Sequence, residues 1–437
     1  MPRPSNACSL APLQALFVLA VGLLGGVQTA QAETLRLATW NLGWHVSQAE
    51  LPAWRAQCDR VYAKDAASGV WQPVADGTPG ATRGWDITES RAKVQGIDLS
   101  VMPPCAVYQG PGRQGIEVTP GAWARRNAAL ARMLGEVVRP DVIAFQEVSG
   151  TQAVREALGP VADQYQVCSF DGRYKVQRLA FAWLKRWGEG ACTELPALAL
   201  LHLPPSQQVR PGLALRLLIK GQSVNLLTLH LKSGCVSPLD RGRLDGNSGP
   251  DDPCPVLQQQ VAPLEAAIKT LSQSADHLVV LGDFNRNLWH EFNQVAGAEP
   301  VRSDGGTDLA APLPAGVRSR NLLREVNDGV PARSSLVLLA PQCSVDPALQ
   351  ALCDAAKTGV LNGSQRNTLG HRQGLGCRNA VGLDQVLVSK GLAAAVRRLD
   401  KLPLGSHGQS LPAKPPVYPD AQLGLSDHCP AVLELDL

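Results

Sequence analysis

The chain has 437 residues, with 41 Lys and Arg against 38 Asp and Glu and a hydrophobic share of 45%. That share excludes a wholly disordered chain, and the length suits two average domains or one large domain with insertions. A formal net charge of +3 is too small to identify nucleic acid as a partner.

The first 32 residues are predicted to be a secretory signal that is cleaved after Ala32. Arg3 supplies the positive start, residues 13–27 are almost wholly apolar, and residues 29–32 supply the small side chains that a signal peptidase needs. An uncleaved anchor is the alternative, but the apolar run is short for a span of about 20 residues. No later stretch is long and apolar enough to cross a membrane. We therefore expect an exported protein of the periplasm or the extracellular medium, without stable membrane insertion after cleavage.

Cysteine usage agrees with export. Of the 11 cysteines, all but Cys8 follow the signal, and none forms a CxxC pair. An even number of remaining cysteines in an exported chain favours disulfides over a zinc site. The full connectivity does not follow from the sequence, but we expect two pairs of neighbours, Cys235 with Cys254 and Cys343 with Cys353. Each bridge would stabilise the fold by roughly 2–4 kcal/mol in the chain-entropy model.

Hydrophobic patterning predicts mostly strands along the rest of the chain. Apolar alternation or short buried runs predict strands over 34–40, 141–147, 179–184, 213–219, 224–231, 277–283, 383–388 and 431–435. Helical spacing predicts one helix over 124–138, stopped by Pro140, and a second with Pro263 in its first turn. This succession indicates an α+β core of two sheets rather than a Rossmann alternation.

Two long segments interrupt the pattern. Residues 47–120 contain Pro, Gly and three Trp without a sustained period, and residues 287–375 are rich in turn residues. Residues 236–256 are predicted to be a polar loop. The expected organisation is a signal over 1–32 and a single domain over 33–437, with insertions at about 47–120 and 287–375.

Polar side chains able to carry chemistry stand at the ends of four predicted strands. They are Asn41, Glu147, Asp283, Asn285, Asp427 and His428. Hard oxygen ligands without clustered His or Cys are the donors that Mg²⁺ or Mn²⁺ accepts, and a buried charge is costly unless it is paired or metal-bound. Taken singly, Asn41 suits a turn and Asp283 a helix N-cap. Together the strand ends predict one shared site that binds a divalent metal.

The phrases ATWN, QE, HLKS, GDFN, LDQVLVS and SDHCP follow one another between Asn41 and His428. With these phrases the chain resembles the endonuclease/exonuclease/phosphatase superfamily, and within it an exported bacterial-type member of the deoxyribonuclease I type. The resemblance covers the mature chain outside the two insertions, and GDFN together with SDH is its most specific part. It implies a four-layer α/β/β/α sandwich of two mixed β-sheets flanked by helices. It also implies a divalent metal, namely Mg²⁺, with Mn²⁺ as an alternative and Ca²⁺ as a structural ion.

The resemblance assigns the metal ligands and the catalytic histidine. Asn41, Glu147 and Asp427 match metal-binding residues of the family, His428 matches its catalytic histidine, and Asp384 in LDQVL matches the aspartate that orients this histidine. A metal at the first three residues would neutralise phosphate oxygens as a Lewis acid. A carboxylate behind an imidazole fixes its tautomer.

The resemblance also assigns residues to the attacking water and the substrate. Asp283 and Asn285 match the pair that positions the water and the phosphate, and His230 in HLKS matches the second histidine of the deoxyribonuclease type, although alone it could be a buried structural histidine. Arg210 resembles a phosphate-contacting arginine, and Tyr174 lies near the place of a family tyrosine. A positioned acid or base contributes about 10²–10⁴ in rate.

The expected function is an exported nuclease, most simply an endonuclease, that hydrolyses DNA by in-line attack of an activated water, with RNA as a second candidate substrate. A phosphatase or a sphingomyelinase-like phospholipase is the alternative within the same chemistry; aromatic, apolar loops at the mouth would favour it, and a basic groove would favour nucleic acid. A silent binding protein on the same scaffold is the non-enzymatic alternative.

Cys235 and Cys429 lie beside the two histidines in the sequence. Their thiols could form a redox-sensitive or metal-binding site, and structural disulfides are the other interpretation.

Overall fold

The computed structural model describes residues 34–87, 89, 92–108, 117–172, 174–237, 253–292, 322–408 and 423–436. The expected signal over 1–32 lies outside the described residues, so its cleavage stays a prediction. Within the described ranges, no helix has the length and apolarity needed to cross a bilayer.

The described ranges contain sixteen strands and eight α-helices. The strands are β1 Thr34–His45, β2 Val61–Lys64, β3 Val70–Pro73, β4 Thr82–Arg83, β5 Lys93–Val94, β6 Val142–Val148, β7 Tyr165–Ser169, β8 Arg178–Leu184, β9 Ala191–Leu195, β10 Gly212–Ile219, β11 Gln222–His230, β12 His277–Asp283, β13 Leu336–Leu338, β14 Asp384–Ser389, β15 Val396–Lys401 and β16 Ala431–Asp436. The α-helices are α1 Leu51–Cys58, α2 Pro120–Arg132, α3 Thr151–Leu158, α4 Pro253–Ser274, α5 Leu288–Phe292, α6 Leu322–Val326, α7 Pro347–Thr358 and α8 Gly363–Gly370.

Two six-stranded sheets form the centre of the fold. The first has the order β15-β16-β1-β6-β8-β7 and the second the order β13-β14-β12-β11-β10-β9. Each sheet has one parallel pair at its centre, β1 with β6 and β11 with β12, and its other neighbours are antiparallel. Helices α2 and α4 lie in the connections between the strands of these parallel pairs, as parallel pairing requires a crossover. Both sheets are therefore mixed, as expected.

Three apolar cores separate four layers. Alternate residues of the strands, such as Leu35 and Leu37 of β1, face the second sheet and pack against residues such as Leu215 and Leu281. The opposite face of the first sheet packs against helices that include α2, α3 and α7. The outer face of the second sheet packs against α4. This period-two division of each strand confirms the expected α/β/β/α sandwich.

Helix α4 differs from its prediction. It begins at Pro253 and not at Pro263, which lies inside it. A proline within a helix removes one backbone hydrogen bond, but α4 buries Leu257, Val261 and Leu264 against the second sheet. Since tertiary packing supplies most of the stability of a helix in a protein, this apolar face outweighs the lost bond. The last residues of the expected polar loop are consequently helical.

The expected insertion over 47–120 contains structure of its own. It holds α1 and a small sheet with the order β4-β2-β3-β5. Trp54 packs edge-on against Trp85 and Tyr108, and Cys58 is bonded to Cys105. The edge strands β7, β9, β13 and β15 of the large sheets were likewise not predicted.

Five disulfides occur in the described residues. Both expected pairs, Cys235–Cys254 and Cys343–Cys353, are present. The others are Cys58–Cys105, Cys168–Cys192 and Cys377–Cys429. The thiol interpretation of Cys235 and Cys429 is therefore wrong, because both sulfurs are covalently bonded. This number of disulfides is typical of proteins from an oxidising compartment.

Candidate active site

The predicted site residues other than Tyr174 meet at one edge of the two sheets. Parallel neighbours end at the same edge, so the last residues of β11 and β12, His230 and Asp283, are register partners. Strand β14 runs antiparallel to β12 and places Asp384 opposite Asp283. Asn41 near the end of β1 donates from Nδ2 to Asp283 Oδ2 at 3.1 Å and thereby joins the first sheet to the second. The strand pairing thus brings four residues that are distant in the sequence into one cluster.

The backbone is strained at the residues that enter this cluster. Glu147 and Asn285 have φ of 56° and 50°, in the left-handed region that side chains other than glycine seldom adopt. Gly282, just before Asp283, has φ of 136°, and a Cβ there would lie 2.4 Å from the Leu229 carbonyl oxygen. Only glycine fits this position, which explains the Gly of the GDFN phrase. Strained positions of this kind concentrate at functional sites.

His428 and Asp384 form a buried ion pair. His428 Nδ1 lies 3.0 Å from Asp384 Oδ1, and the Lys401 ammonium donates to the other carboxylate oxygen of Asp384. Burial alone would raise the pKa of Asp384, but Lys401 and His428 lower it to about 2. Burial alone would lower the pKa of His428, but Asp384 with Asp283 and Asp427 raises it to about 10. At neutral pH His428 is therefore an imidazolium whose Nε2 lies 3.8 Å from Asp283 Oδ2.

Asp283 is the buried carboxylate at the centre of the cluster. It accepts the Asn285 backbone N–H at 2.8 Å and lies 3.6 Å from His230 Nε2. Burial raises the pKa of Asp283 above its ordinary value, which makes it a stronger base than an exposed aspartate. The Asn285 side chain is fixed by donating to the Leu231 carbonyl at 3.1 Å.

His230 is held in the opposite charge state from His428. Burial, Arg210 and His428 keep the pKa of His230 well below its usual range, so this imidazole is neutral. Its Nδ1 has no hydrogen-bond partner among the described residues. The Arg210 guanidinium donates to the carbonyls of His230 and Leu231 at 3.0 and 2.8 Å and so fixes the end of β11.

Glu147 and Asp427 are the two carboxylates among the expected metal ligands, and both line the same pocket. Burial, and then the negative charge of Asp427, raises the pKa of Glu147 to about 7. The described contact of its carboxylate is His230 Nε2 at 3.5 Å, and that imidazole is neutral. Asn41 adds an amide oxygen that accepts the Gly43 N–H at 2.9 Å and retains a second lone pair. Hard oxygen donors of this kind are ligands that Mg²⁺ accepts, and Asp427 also accepts from Arg378 at 2.7 Å.

A second acidic group is a weaker candidate for a cation. One ligand atom each of Asp283, Asp384 and His428 lies within 4.8 Å of the others. Asp384 is already neutralised, however, by the Lys401 ammonium and by His428. Asp427 is also paired, with Arg378, so the preference for the group of Asn41, Glu147 and Asp427 rests on Glu147, whose described contact is the neutral His230.

These side chains line a pocket of about 260 Å³. Among the expected residues, Glu147, Arg210, His230, Asp283, Asn285, Asp427 and His428 line it directly. Asn41 and Asp384 lie behind the wall and contact Asp283 and His428. Tyr174 is not part of the pocket lining, and its hydroxyl donates to the Gln208 carbonyl. A role for Tyr174 in substrate binding stays a prediction.

Three residues of the site were not predicted from the sequence. Arg378 and Asn379 line the pocket and donate to Asp427 Oδ2 at 2.7 and 2.9 Å. Lys401 is the ammonium behind Asp384. No motif of the sequence marks Arg378, Asn379 or Lys401 as site residues.

A buried arginine connects strand β1 to the segment that precedes Asp427. Arg126 on α2 is fully buried and donates to the carbonyls of Leu42 and Gly424 at 3.0 Å each. It also contacts His45 Nδ1 at 2.7 Å and the ring of Tyr108. Leu42 follows Asn41, and Gly424 precedes Asp427 by three residues. Arg126 thereby fixes the spacing between two candidate metal ligands from outside the pocket.

Comparison with known proteins agrees with this geometry. The profile of the Endonuclease/Exonuclease/phosphatase family matches residues 114–428. A search of the curated proteins finds no match.

Several solved structures are similar in fold. Humanized D. rerio TDP2 is 12% identical, with 92% of this chain and 99% of that chain covered and a TM-score of 0.40. An endonuclease/exonuclease/phosphatase from Beutenbergia cavernae is 15% identical, with 92% and 72% covered and a TM-score of 0.37. The 3'-5' exonuclease NExo from Neisseria meningitidis is 16% identical, with 72% and 97% covered and a TM-score of 0.38.

Proposed function

Because this chain belongs to the endonuclease/exonuclease/phosphatase family, we propose that it is an exported, divalent-metal-dependent phosphodiesterase that hydrolyses DNA, with RNA as a second candidate substrate. The observation that carries the proposal is the pairing of a buried imidazolium, His428, with a buried carboxylate of raised pKa, Asp283, in one polar pocket. Water attack on a phosphodiester needs both a base for the water and positive charge for the phosphoryl oxygens.

Asp283 acts as the base in this proposal. Its carboxylate is held by Asn41 and by the backbone of Asn285, so its orientation is fixed before substrate binds. Its raised pKa favours acceptance of a proton from the attacking water. The Asn285 amide, which lines the same pocket, holds the water and a phosphate oxygen by hydrogen bonds.

His428 and His230 have different roles because one imidazole is charged and the other is neutral. The His428 imidazolium stabilises negative charge that develops on a phosphoryl oxygen. Asp384, which is itself held by Lys401, keeps this imidazolium protonated and oriented. Neutral His230 supplies a hydrogen bond to the phosphate or the leaving oxygen without adding charge. Asn41, Glu147 and Asp427 would hold a Mg²⁺ or Mn²⁺ ion, which when bound neutralises non-bridging oxygens as a Lewis acid.

A polyanionic substrate is supported by the cations of the pocket. Arg210 and Arg378 both line it, and the Arg378 side chain is 42% exposed at its mouth. Such arginines suit phosphate groups through paired hydrogen bonds.

Export is supported by the five disulfides of the described residues. Sequencing the N-terminus of secreted protein tests it, since cleavage after Ala32 predicts a chain that starts at Glu33.

The direct test is incubation of the purified protein with supercoiled plasmid DNA and Mg²⁺, with and without EDTA. We expect nicking that requires the metal. Hydrolysis of a phosphomonoester or a sphingomyelin by folded protein that leaves DNA intact would contradict the nuclease assignment and favour the phosphatase or phospholipase alternative.

A further inference from the structure

A second cavity, which we call the side cavity, adjoins the catalytic pocket. Its volume is about 490 Å³, against about 260 Å³ for the catalytic pocket. Arg378, Asn379 and Leu383 line both cavities, so the side cavity lies next to the part of the catalytic pocket that these residues form. We propose that the side cavity binds the nucleotide next to the phosphodiester that is cut. This inference rests on the proposed function and specifies its substrate as a polynucleotide.

A network of buried hydrogen bonds holds one side of the side cavity in place. His290 at its base is buried; its Nδ1 contacts the Ser237 hydroxyl, and its Nε2 lies 3.0 and 3.1 Å from the carbonyls of Ala356 and Gly359. Asn287 donates to the Ala356 carbonyl at 3.1 Å. This network ties the segment after β11, helix α5 and the end of α7 together. A cavity whose floor is fixed by buried hydrogen bonds is preorganised for a ligand.

The chemistry of the lining suits a nucleotide. Arg366 and Arg378 are the two charged arginines of the lining, and none of its described residues is acidic. Apolar side chains such as Leu361, Val381 and Leu383 form the remaining wall. A nucleotide presents both an anionic phosphate and the less polar surface of its sugar and base, so it matches a wall that combines cations with apolar groups. A bare phosphomonoester would leave the side cavity without a ligand group.

The test compares a substrate that reaches the side cavity with one that does not. Bis(4-nitrophenyl) phosphate is a small phosphodiester, and a short single-stranded oligodeoxynucleotide extends beyond the catalytic pocket. For Arg366→Ala we expect kcat/KM on the oligonucleotide to fall about tenfold relative to kcat/KM on the small diester, as the loss of one charge-assisted phosphate contact predicts. The change should appear mainly in KM.

Two further variants separate the side cavity from general charge and from folding. Arg372→Ala removes an exposed arginine that lines neither cavity, and it should leave the ratio of the two kcat/KM values within about twofold of wild type. Val360→Trp fills the side cavity from its exposed rim and should lower the ratio without removing charge. Unchanged melting temperatures verify that the variants fold.

The outcomes distinguish the two proposals. An unchanged ratio in both Arg366→Ala and Val360→Trp would overturn the side cavity as a nucleotide subsite while leaving the nuclease in place. An equal fall for Arg372→Ala would also overturn it, because non-specific charge would then explain the effect. Failure of the wild type to hydrolyse either diester would instead reject the proposed function itself.

Discussion

Glu147 is the residue whose chemistry depends most on a bound cation. Its carboxylate lies beside Asp427 and Asp283, and burial together with these charges raises its pKa to about 7. The metal-free protein therefore holds an unfavourable negative cluster, which a divalent ion would relieve. A structural carboxylate would instead have a fixed cation, as Asp384 has in Lys401.

Glu147→Gln should accordingly separate stability from metal binding. In EDTA we expect its melting temperature to equal or exceed that of wild type, because the amide removes the repulsion. Millimolar Mg²⁺ should raise the melting temperature of wild type but not of the variant, since only binding to the folded state stabilises it. Glu194→Gln, on the exposed edge strand β9, is the matched control and should keep the Mg²⁺ response. A full Mg²⁺ response in Glu147→Gln would remove Glu147 from the metal site.

At the scale of elements, one carboxylate ties three strands of the first sheet. Glu434 on β16 accepts two hydrogen bonds of 2.9 Å from Arg398 on β15 and also pairs with Arg36 on β1. The hydrogen bond from Arg398 is the largest influence and lowers the pKa of Glu434 from its ordinary value of 4.5. Because the folded pKa lies below the unfolded one, this stabilisation is present above the ordinary value and is lost as the pH falls through the folded pKa.

Glu434→Gln should therefore lower the melting temperature at neutral pH, and the difference from wild type should shrink below about pH 4. Thermal unfolding followed by circular dichroism at several pH values measures it. A difference that stays constant from neutral to acid pH would show that packing, and not the ionised carboxylate, explains the effect.

The elements also show where sequence patterns succeed and fail. The central strands were predictable because both faces are buried and their apolar runs are continuous. Strand β9 was not, since most of its residues are exposed and lack a buried face. Helix α4 was misplaced because Pro263 was interpreted locally, whereas its long apolar face decides the outcome.

The residues of the site differ in how clearly the sequence marks them. Asn41, Glu147, His230 and Asp283 could be found because they end strands that the sequence marks. Arg378 and Lys401 could not, because their partners Asp427 and Asp384 lie 49 and 17 residues away in the chain. Contacts at that separation depend on the register of the sheets, which hydrophobic patterns do not specify.

At the scale of the whole molecule, disulfides connect the layers. Cys168–Cys192 joins β7 of the first sheet to β9 of the second, and Cys377–Cys429 joins the segment of Arg378 to that of His428. Each native disulfide contributes about 2–4 kcal/mol, more for the longer loops.

Reduction under mild denaturing conditions should therefore lower the melting temperature by more than about 5 °C. Differential scanning calorimetry with and without reductant measures the change, and alkylation followed by mass spectrometry verifies that the bridges were opened. An unaltered melting curve after verified reduction would contradict the stabilising role of the disulfides.

The most direct test of the catalytic site compares the two ends of one strand. Asp283 ends β12 inside the pocket, and Asp276 precedes the same strand at an exposed turn. In Mg²⁺-dependent plasmid nicking, we expect Asp283→Ala to lower the rate by about 10²-fold or more, and Asp276→Ala to retain the wild-type rate. Nicking by folded Asp283→Ala at the wild-type rate would contradict the assignment of this pocket as the catalytic centre.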